Sequence, residues 1–394
     1  MCGIVGYVGG QDATQVVVEG LRRLEYRGYD SAGVAVVTPV GVQSRKRAGK
    51  LANLEKALAE APLPDTTVGI GHTRWATHGA PNDVNAHPHL SEDGSLAVIH
   101  NGIIENFAEL RSLLQADGVT FLSETDTEVA AHLLAKMVGE TGSLTQAMQA
   151  TCRQLRGAFT LVAASAEDPD TLVGARRNSP LVVGLGEGET FLASDVSAFI
   201  AHTRRAMELG QDQVITITRE GVEVTDFDGV PADGVEYEVT WDASAAEKAG
   251  YDLFMLKEIA EQPKAVADTL LGRITDDNRL VLDGLTISDT ELREIDKIVV
   301  AACGTAYHAG LVAKYAIEHW TRIPVEVELA SEFRYRDPIL DRQTLVVAIS
   351  QSGETMDTLM AVRHAREQGS RVLSICNTQG STIPRESDAA LYTY

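Results

Sequence analysis

The chain has 394 residues and a formal net charge of −22, and 44% of its residues are hydrophobic. This length and composition are typical of a soluble protein with two or three domains. The negative charge disfavours nucleic acid and anionic membrane surfaces as partners. The four cysteines lie far apart, and neither a secretory signal nor a membrane-spanning apolar run is found. We therefore expect a cytoplasmic protein with reduced thiols.

The first half of the chain is rich in strands. In chain order, the pattern predicts a strand over 4–8, a helix over 13–26 with Asp12 as its N-cap, a strand over 34–37, a helix over 51–59, strands over 68–76 and 96–104, helices over 107–116, 127–138 and 144–155, strands over 158–164, 171–175, 181–185 and 190–193, and a hairpin of 213–218 with 222–226. Strands grouped around a few helices indicate antiparallel sheets covered by helices, an α+β domain.

An acidic, Gly/Ala-rich segment without strong periodicity divides the chain into a first domain over 1–228, a linker over 229–250 and a second domain over 251–394. A helix over 252–271, interrupted near its start by Pro263, opens the second domain. Strands over 297–302, 325–329, 344–350, 371–376 and 389–394 then alternate with helices over 306–320 and 356–368. This alternation is typical of an α/β domain with a parallel sheet. The chain ends inside the last predicted strand, which suggests an interrupted domain.

Cys2 directly follows the initiator methionine and precedes an apolar strand. Removal of Met1 would leave one residue with a thiol nucleophile and an α-amine, whose ordinary pKa of about 7.7–8.0 suits a base. The alternative is that Cys2 is a small apolar residue that opens a strand.

A polar Asn101-Gly102 pair interrupts the apolar run over 96–104. If Cys2 attacks an amide, the Asn101 side-chain amide and the Gly102 backbone N–H could stabilise the oxyanion. A bulge or a strand-end turn would explain the same pair.

A glutamine substrate would also need partners for its α-carboxylate and α-ammonium groups. Arg74 could bind the carboxylate in a bidentate manner. Asp126 could bind the ammonium, but spacing alone favours Asp126 as the N-cap of the helix that starts at Thr127. Thr77 and His78 could be turn residues.

The histidines in 85–89 (NAHPH) lack a third ligand at a matching spacing, so zinc is disfavoured.

Two strand–loop–helix junctions in the second domain carry small and hydroxylated residues, and they lie around Thr305 and over 350–355 (SQSGET). Helix N-termini attract anions, and neither loop matches a nucleotide-binding motif. Plain helix capping would explain one such junction, whereas two at the ends of strands in one sheet favour a bound ligand.

Several motifs occur in the order known from class II glutamine amidotransferases with N-terminal nucleophiles: 1–6 (MCGIVG), 25–33 (EYRGYDSAG), 72–79 (HTRWATHG), 85–89 (NAHPH), 100–106 (HNGIIEN) and 123–128 (SETDTE). The first domain resembles this family, and in particular the isomerising glutamine–fructose-6-phosphate aminotransferases. The resemblance implies an N-terminal-nucleophile amidohydrolase fold, Cys2 as nucleophile, and Asn101 and Gly102 as the oxyanion hole. It also implies the glutamine-binding residues Arg74, Trp75, Thr77, His78 and Asp126, with Trp75 gating the passage of ammonia.

The second domain resembles a sugar-isomerase (SIS) domain. The resemblance implies a sugar-phosphate site formed by Thr305, Ser350, Gln351, Ser352 and Thr355, a homodimer through the SIS domains, and fructose 6-phosphate as acceptor. No cofactor or metal is implied, and the chemistry on the sugar is expected to need a second SIS copy and a C-terminal tail. The alternatives are an amidotransferase for another phosphosugar acceptor and a sugar-phosphate-binding regulatory module with a vestigial amidase, which retention of Met1 would favour.

Overall fold

The computed structural model of the chain describes residues 2–76, 78–239, 251, 254–274, 277, 279–282, 284–378 and 381–393. Contacts within the chain divide it into two compact units, residues 1–249 and 250–394. The site residue Thr77 and the predicted linker residues 240–250 lie outside the described residues.

The first unit consists of strands and helices in irregular alternation, with short 3₁₀ turns at Glu25–Arg27 and Val196–Ala198. Its elements are β1 (Gly3–Val8), α1 (Ala13–Leu24), β2 (Ser31–Thr38), β3 (Gly41–Ala48), α2 (Leu51–Glu60), β4 (Val68–Arg74), β5 (His89–Leu90), β6 (Leu96–Ile104), α3 (Phe107–Ala116), α4 (Asp126–Thr141), α5 (Leu144–Gln154), β7 (Gly157–Ser165), β8 (Asp168–Arg177), β9 (Val182–Leu185), β10 (Thr190–Ala193), β11 (Arg205–Glu208), β12 (Gln213–Ile217), β13 (Val222–Asp226) and β14 (Val235–Glu238).

These strands form two antiparallel sheets that pack face to face. The first sheet has the order β14-β11-β9-β10-β1-β4-β2-β3, and the second has the order β13-β12-β8-β7-β6-β5. Apolar side chains from both sheets, among them Ile4, Ile70, Ile99 and Val162, fill the space between them. Helices α1 and α2 cover the outer face of the first sheet, and α3–α5 cover that of the second. The expectation of antiparallel sheets between helices is therefore confirmed.

Strand β1 lies in the interior of the first sheet, and the whole strand is buried. It pairs with β10 on one side and with β4 on the other, with Gly3 opposite Thr73. Burial on both faces explains its unbroken apolar sequence. The helix that follows begins as expected, because the Asp12 carboxylate accepts a hydrogen bond from the Thr14 N–H.

Strand β3 was not predicted, because its sequence GVQSRKRA is mostly polar. It is the edge strand of the first sheet and pairs with β2 along its full length. An edge strand tolerates charged side chains on its solvent face, and such charges discourage pairing with other chains. Backbone pairing with β2 therefore overrides the weak hydrophobic pattern.

The predicted linker is wrong for its first part, because residues 235–238 form β14 in the first sheet. Strand β14 pairs antiparallel with β11, with Arg205 opposite Glu238. Its side chains are exposed, so no alternation of apolar and polar residues marked it as a strand. Long-range pairing at the sheet edge, which cannot be inferred from the local sequence, forms this strand.

The second unit contains one parallel sheet with the order β16-β15-β17-β18-β19. Its elements are α6 (Phe254–Leu270), α7 (Asp289–Arg293), β15 (Lys297–Ala302), α8 (Gly304–Thr321), β16 (Val325–Leu329), α9 (Ala330–Arg336), β17 (Thr344–Ser350), α10 (Met356–Glu367), β18 (Arg371–Cys376), α11 (Thr382–Arg385) and β19 (Ala389–Tyr392). The chain leaves β15 toward one edge and later returns to its other side as β17. This reversal creates a switch point between β15 and β17, the usual place for a ligand in such sheets.

Helix α6 continues through Pro263, so the predicted interruption at that residue is wrong. No helix in the described part of the chain is long and apolar enough to cross a bilayer.

Candidate active site

The thiol of Cys2 lies at the amino end of β1 beside the carboxyl end of β4. The Trp75 N–H donates a hydrogen bond to Cys2 Sγ at 3.1 Å, and the thiol donates to the Trp75 carbonyl oxygen at 3.5 Å. Burial raises the pKa of the Cys2 thiol, although the Trp75 N–H and the Arg74 charge act in the opposite direction. The thiol is therefore protonated at neutral pH and needs a base to become a nucleophile.

Asn101 links Cys2 to the second sheet. Its Nδ2 donates a hydrogen bond to the Cys2 carbonyl oxygen at 2.9 Å, and its Oδ1 lies 2.9 Å from Nε2 of His72. Nδ2 donates no other hydrogen bond to the described residues, so its second hydrogen is available to a ligand. The polar interruption in β6 thus contacts the backbone of Cys2.

Gly102 lies next to Asn101 in β6 with a φ of 122°. An added Cβ would come within 2.0 Å of the Ala158 carbonyl oxygen on the neighbouring strand β7. Glycine is required here both by the left-handed backbone and by this close approach. The residue is exposed and remains within the strand, so the strand-end turn considered from the sequence is not present.

Arg74 is the last residue of β4 and is 3% exposed. Its Nη2 donates to the carbonyl oxygens of His78 and Gly79, whereas its Nη1 is buried without a hydrogen-bond partner among the described residues. Buried polar groups are nearly always hydrogen-bonded. The unpartnered guanidinium nitrogen therefore marks a place for an anionic or carbonyl group of a ligand.

Asp126 is buried at the first position of α4, and its Oδ2 accepts a hydrogen bond from the Ile104 N–H at 2.9 Å. The residue that caps α4 is Thr125, whose side chain accepts from the Glu128 N–H. The sequence-based expectation of Asp126 as N-cap is therefore wrong. The Asp126 carboxylate instead lies at the end of β6, where its partner Ile104 is three residues from Asn101. It also interacts electrostatically with Arg74.

Trp75 and His78 lie on the segment that follows β4. The Trp75 side chain is 47% exposed, and its ring meets Tyr29 edge-on with centroids 5.4 Å apart. The His78 ring meets Phe107 edge-on at 5.3 Å. The Ala76 N–H donates to the Asp30 carboxylate at 2.8 Å, so the 25–33 motif anchors this segment over Cys2.

Four buried histidines surround the site, and sequence reasoning assigned a role to none of them: His72, His87, His89 and His100. The rings of His72 and His87 stack at 4.2 Å. Burial lowers the pKa of all four, and that of His72 to about 3, so they are neutral. No group of three or more metal-ligating side chains that could hold a metal ion is found in the described residues. The sequence signal that could have identified these histidines is the presence of polar residues within otherwise apolar segments.

In the second unit, the two predicted junctions follow the adjacent strands β15 and β17. The buried Ser350 Oγ lies 3.0 Å from Thr355 Oγ1 and accepts a hydrogen bond from the Gly353 N–H at 3.1 Å. Ser352 Oγ accepts from the Glu354 N–H. Gln351 and Thr305 are exposed, with Thr305 in the first turn of α8. Both helix N-termini thus lie at the carboxyl edge of the sheet, next to the switch point.

The comparisons with known proteins agree with this two-part architecture. Residues 59–232 match the family described as a glutamine amidotransferase domain, and residues 291–394 match the SIS domain. Over all of its 394 residues the chain is 71% identical to a glutamine–fructose-6-phosphate aminotransferase (isomerizing) from Streptomyces coelicolor. An aminotransferase of the same name from Corynebacterium efficiens is 64% identical over 402 aligned residues, again across the whole chain. The chain is therefore similar over its whole length to glutamine–fructose-6-phosphate aminotransferases, and its two parts match the glutamine amidotransferase domain and the SIS domain.

The chain spans 64% of the length of these two aminotransferase relatives. Among solved structures, the glutamine phosphoribosylpyrophosphate amidotransferase from B. subtilis, complexed with ADP and GMP, is 18% identical with a TM-score of 0.51, covering 100% of this chain and 91% of that chain. An allosteric regulatory enzyme of purine biosynthesis is 20% identical with a TM-score of 0.52, covering 95% of this chain and 80% of that chain. At these identities the likeness shows the fold alone, and it confirms the N-terminal-nucleophile architecture expected from the sequence.

Proposed function

We propose that the first unit hydrolyses glutamine at Cys2 after removal of Met1. The supporting observation is the set of groups around Cys2: Asn101 Nδ2 donates to the Cys2 carbonyl oxygen, and Trp75, whose N–H donates to the thiol, follows Arg74, which has a buried nitrogen without a hydrogen-bond partner among the described residues. The liberated α-amine of Cys2 takes the thiol proton, and Sγ attacks the carboxamide carbon. The Asn101 Nδ2–H and the Gly102 N–H stabilise the resulting oxyanion.

Collapse of the tetrahedral intermediate breaks the C–N bond, and the protonated α-amine returns its proton to the leaving nitrogen. Ammonia departs and a thioester remains on Cys2, which water then hydrolyses to glutamate. Thiol, amine and amide donors supply every group in these steps. Intact-mass measurement of the purified chain tests the first requirement, because a retained Met1 would leave no free amine at Cys2.

The substrate's α-amino acid group is held by Arg74 and Asp126. The guanidinium binds the α-carboxylate, and the Asp126 carboxylate binds the α-ammonium group. Trp75, Thr77 and His78 complete the glutamine site, with Trp75 controlling where ammonia leaves. Its half-exposed ring supports this role, because the ring can move without disturbing the core.

Replacement of Arg74 by lysine is expected to raise the KM for glutamine about tenfold to hundredfold while kcat changes little. A lysine ammonium keeps the charge but cannot form two parallel hydrogen bonds to a carboxylate, and a uniform loss of binding appears in KM. Steady-state ammonia release measures both constants. Arg177→Lys is the matched control. Arg177 also donates a hydrogen bond to a backbone carbonyl, that of Leu155, but its other partner is the Asp212 carboxylate. An unchanged KM in Arg74→Lys would contradict the assignment.

The second unit binds a sugar phosphate at the switch point between β15 and β17. Ser350, Gln351, Ser352 and Thr355 hold the phosphate through hydroxyl groups and the N-terminus of α10, and Thr305 lies toward the sugar. In the whole protein, ammonia from glutamine is passed to fructose 6-phosphate and glucosamine 6-phosphate is formed. The names of the relatives support this acceptor.

Ser350→Ala is expected to weaken fructose 6-phosphate binding to the chain about tenfold, because a hydroxyl hydrogen bond to a charged group is lost. Isothermal titration calorimetry measures the Kd directly. Ser370→Ala is the control, since Ser370 is equally buried and donates to the Asp341 carbonyl at the opposite edge of the sheet. Equal affinities in the two variants would exclude Ser350 from the phosphate site.

A homodimer through the SIS domains and a location in the cytoplasm complete the proposal. Helix α8 carries apolar side chains at the surface of its unit, with Val312, Tyr315 and Trp320 72%, 76% and 78% exposed. Exposed apolar side chains of this size are typical of interfaces. Sedimentation equilibrium tests the stoichiometry, and a monomer at all concentrations would contradict it.

An amidotransferase for a different phosphosugar acceptor is a second candidate, because the N-terminal-nucleophile fold is shared with a phosphoribosylpyrophosphate amidotransferase. The match of residues 291–394 to the SIS domain favours a phosphosugar. Titration of the chain with fructose 6-phosphate and with other sugar phosphates distinguishes the candidates. Sugar-phosphate binding without any release of ammonia would instead favour a regulatory module with a vestigial amidase.

A further inference from the structure

His72 lies between the two sheets, directly behind the candidate oxyanion hole. It belongs to β4 in the first sheet and is fully buried, opposite Ile4 of β1 and Gly33 of β2. Its Nε2 lies 2.9 Å from Oδ1 of Asn101, which belongs to β6 in the second sheet. This hydrogen bond therefore joins the sheets immediately beside Cys2.

The contacts of Asn101 determine which way its amide points. The Cys2 carbonyl oxygen can only accept a hydrogen bond, so the NH₂ group of Asn101 must face it. The amide oxygen then faces His72, and Nε2 of His72 must be the donor. With the amide held in this way, one Nδ2 hydrogen is engaged by Cys2 and the other is left for a ligand.

His72 keeps the same protonation state over the whole pH range of an enzyme assay. Burial lowers its pKa to about 3, although the hydrogen bond with Asn101 acts in the opposite direction. The neighbouring His87 ring stacks on it at 4.2 Å and is also neutral. A neutral ring carries one proton, and the contact with Asn101 requires that proton on Nε2.

We infer that His72 is a positioning residue for glutamine hydrolysis, which orients the Asn101 amide so that its free hydrogen stabilises the oxyanion. This inference rests on the proposed function of Cys2. A role through Asn101 predicts an effect on the transition state and little effect on the binding of glutamine.

Two substitutions separate the hydrogen bond from the volume of the side chain. His72→Leu fills the site but leaves Oδ1 of Asn101 without a donor, so the amide loses its fixed orientation. Because loss of an oxyanion donor costs about 10²–10³ in kcat, we expect a partial loss of about tenfold or more, with KM within about twofold. His72→Gln places an amide N–H near the position of Nε2, and we expect kcat to recover to within about threefold of the parent.

A double-mutant cycle tests whether His72 acts through Asn101. In the Asn101→Ala background, His72→Leu should change kcat by less than about twofold, because the group that it orients is absent. His202→Leu is the control for loss of a histidine away from Cys2, and the His202 side chain is 14% exposed. His202 lies beside Glu189 and Phe191, near Thr190, which pairs with Val8 at the end of β1 remote from Cys2. We expect this variant to keep the parent kcat.

Thermal unfolding and iodoacetamide alkylation of Cys2 accompany each measurement, because alkylation needs the thiol but no oxyanion hole. A loss of kcat in His72→Leu with normal alkylation, recovered in His72→Gln and absent in the Asn101→Ala background, supports the inference. An unchanged kcat in His72→Leu, or full additivity with Asn101→Ala, overturns it while the proposed function stands. Absence of ammonia release from the parent chain overturns the proposed function itself.

Discussion

Replacement of Cys2 by alanine is expected to reduce ammonia release from glutamine to the uncatalysed background, a loss of about 10⁶-fold in kcat by analogy with removal of the nucleophile from a hydrolase. In the proposed mechanism, Cys2 supplies the atom that attacks the carboxamide and, through its α-amine, the base that activates this atom. Coupled glutamate dehydrogenase and direct ammonia assays on the purified chain measure the effect.

Removal of the thiol should leave the fold intact, because Cys2 is half-buried and, among the described residues, the thiol hydrogen-bonds only to the Trp75 backbone. Cys152→Ala is the informative control. Cys152 is fully buried in the core under the second sheet, and burial raises the pKa of its thiol far above neutrality. We expect that variant to lose stability, about 1 kcal/mol for the lost apolar burial, but to keep its activity per folded molecule. Ammonia release that survives in Cys2→Ala would end the proposal that Cys2 is the nucleophile.

Replacement of Asn101 by alanine is expected to lower kcat about 10²–10³-fold. The substitution removes the Nδ2 hydrogen that is free to stabilise the oxyanion, and it also breaks the link from Cys2 to His72. The KM for glutamine should change far less, because Asn101 does not contact the groups that hold the α-carboxylate and the α-ammonium.

The comparison with Asn106→Ala distinguishes a catalytic effect from a structural one. Asn106 also bridges two segments of the same domain, donating to the Gln154 carbonyl and accepting from the Arg156 N–H, but it has no contact with Cys2. We expect Asn106→Ala to lower the melting temperature without lowering kcat. Equal losses of kcat in both variants would show that Asn101 acts only through the stability of the fold.

Much of the architecture could be predicted because local sequence dictated it. The unbroken apolar run of β1 and the helix capped by Asp12 both occur as expected. The two strand–loop–helix junctions of the second unit also lie at adjacent strand ends, since parallel strands place all their carboxyl ends at one edge. The motifs identified Cys2, Asn101 and Arg74 as candidates before any contact between them was known.

Other elements had no local signal. The charged strand β3 and the exposed strand β14 form because a neighbouring strand offers backbone partners, and β-propensity depends on that context. Because β14 has no alternation of apolar and polar residues, its sequence was included in the predicted linker. The cap of α4 was assigned to Asp126 instead of Thr125, because spacing alone cannot separate two adjacent residues that both accept hydrogen bonds.

The sequence by itself determined the chemical identity of the site: a thiol behind the initiator methionine, an Asn-Gly pair in a strand, and an arginine at the end of another strand. Only the tertiary structure decided how these groups act together, because Cys2, His72 and Asn101 meet across three strands and two sheets. Neither the direction of the Asn101 amide nor the neutral state of His72 is encoded locally. Both follow from burial and from partners that are distant in the chain, which folding alone brings within hydrogen-bond distance.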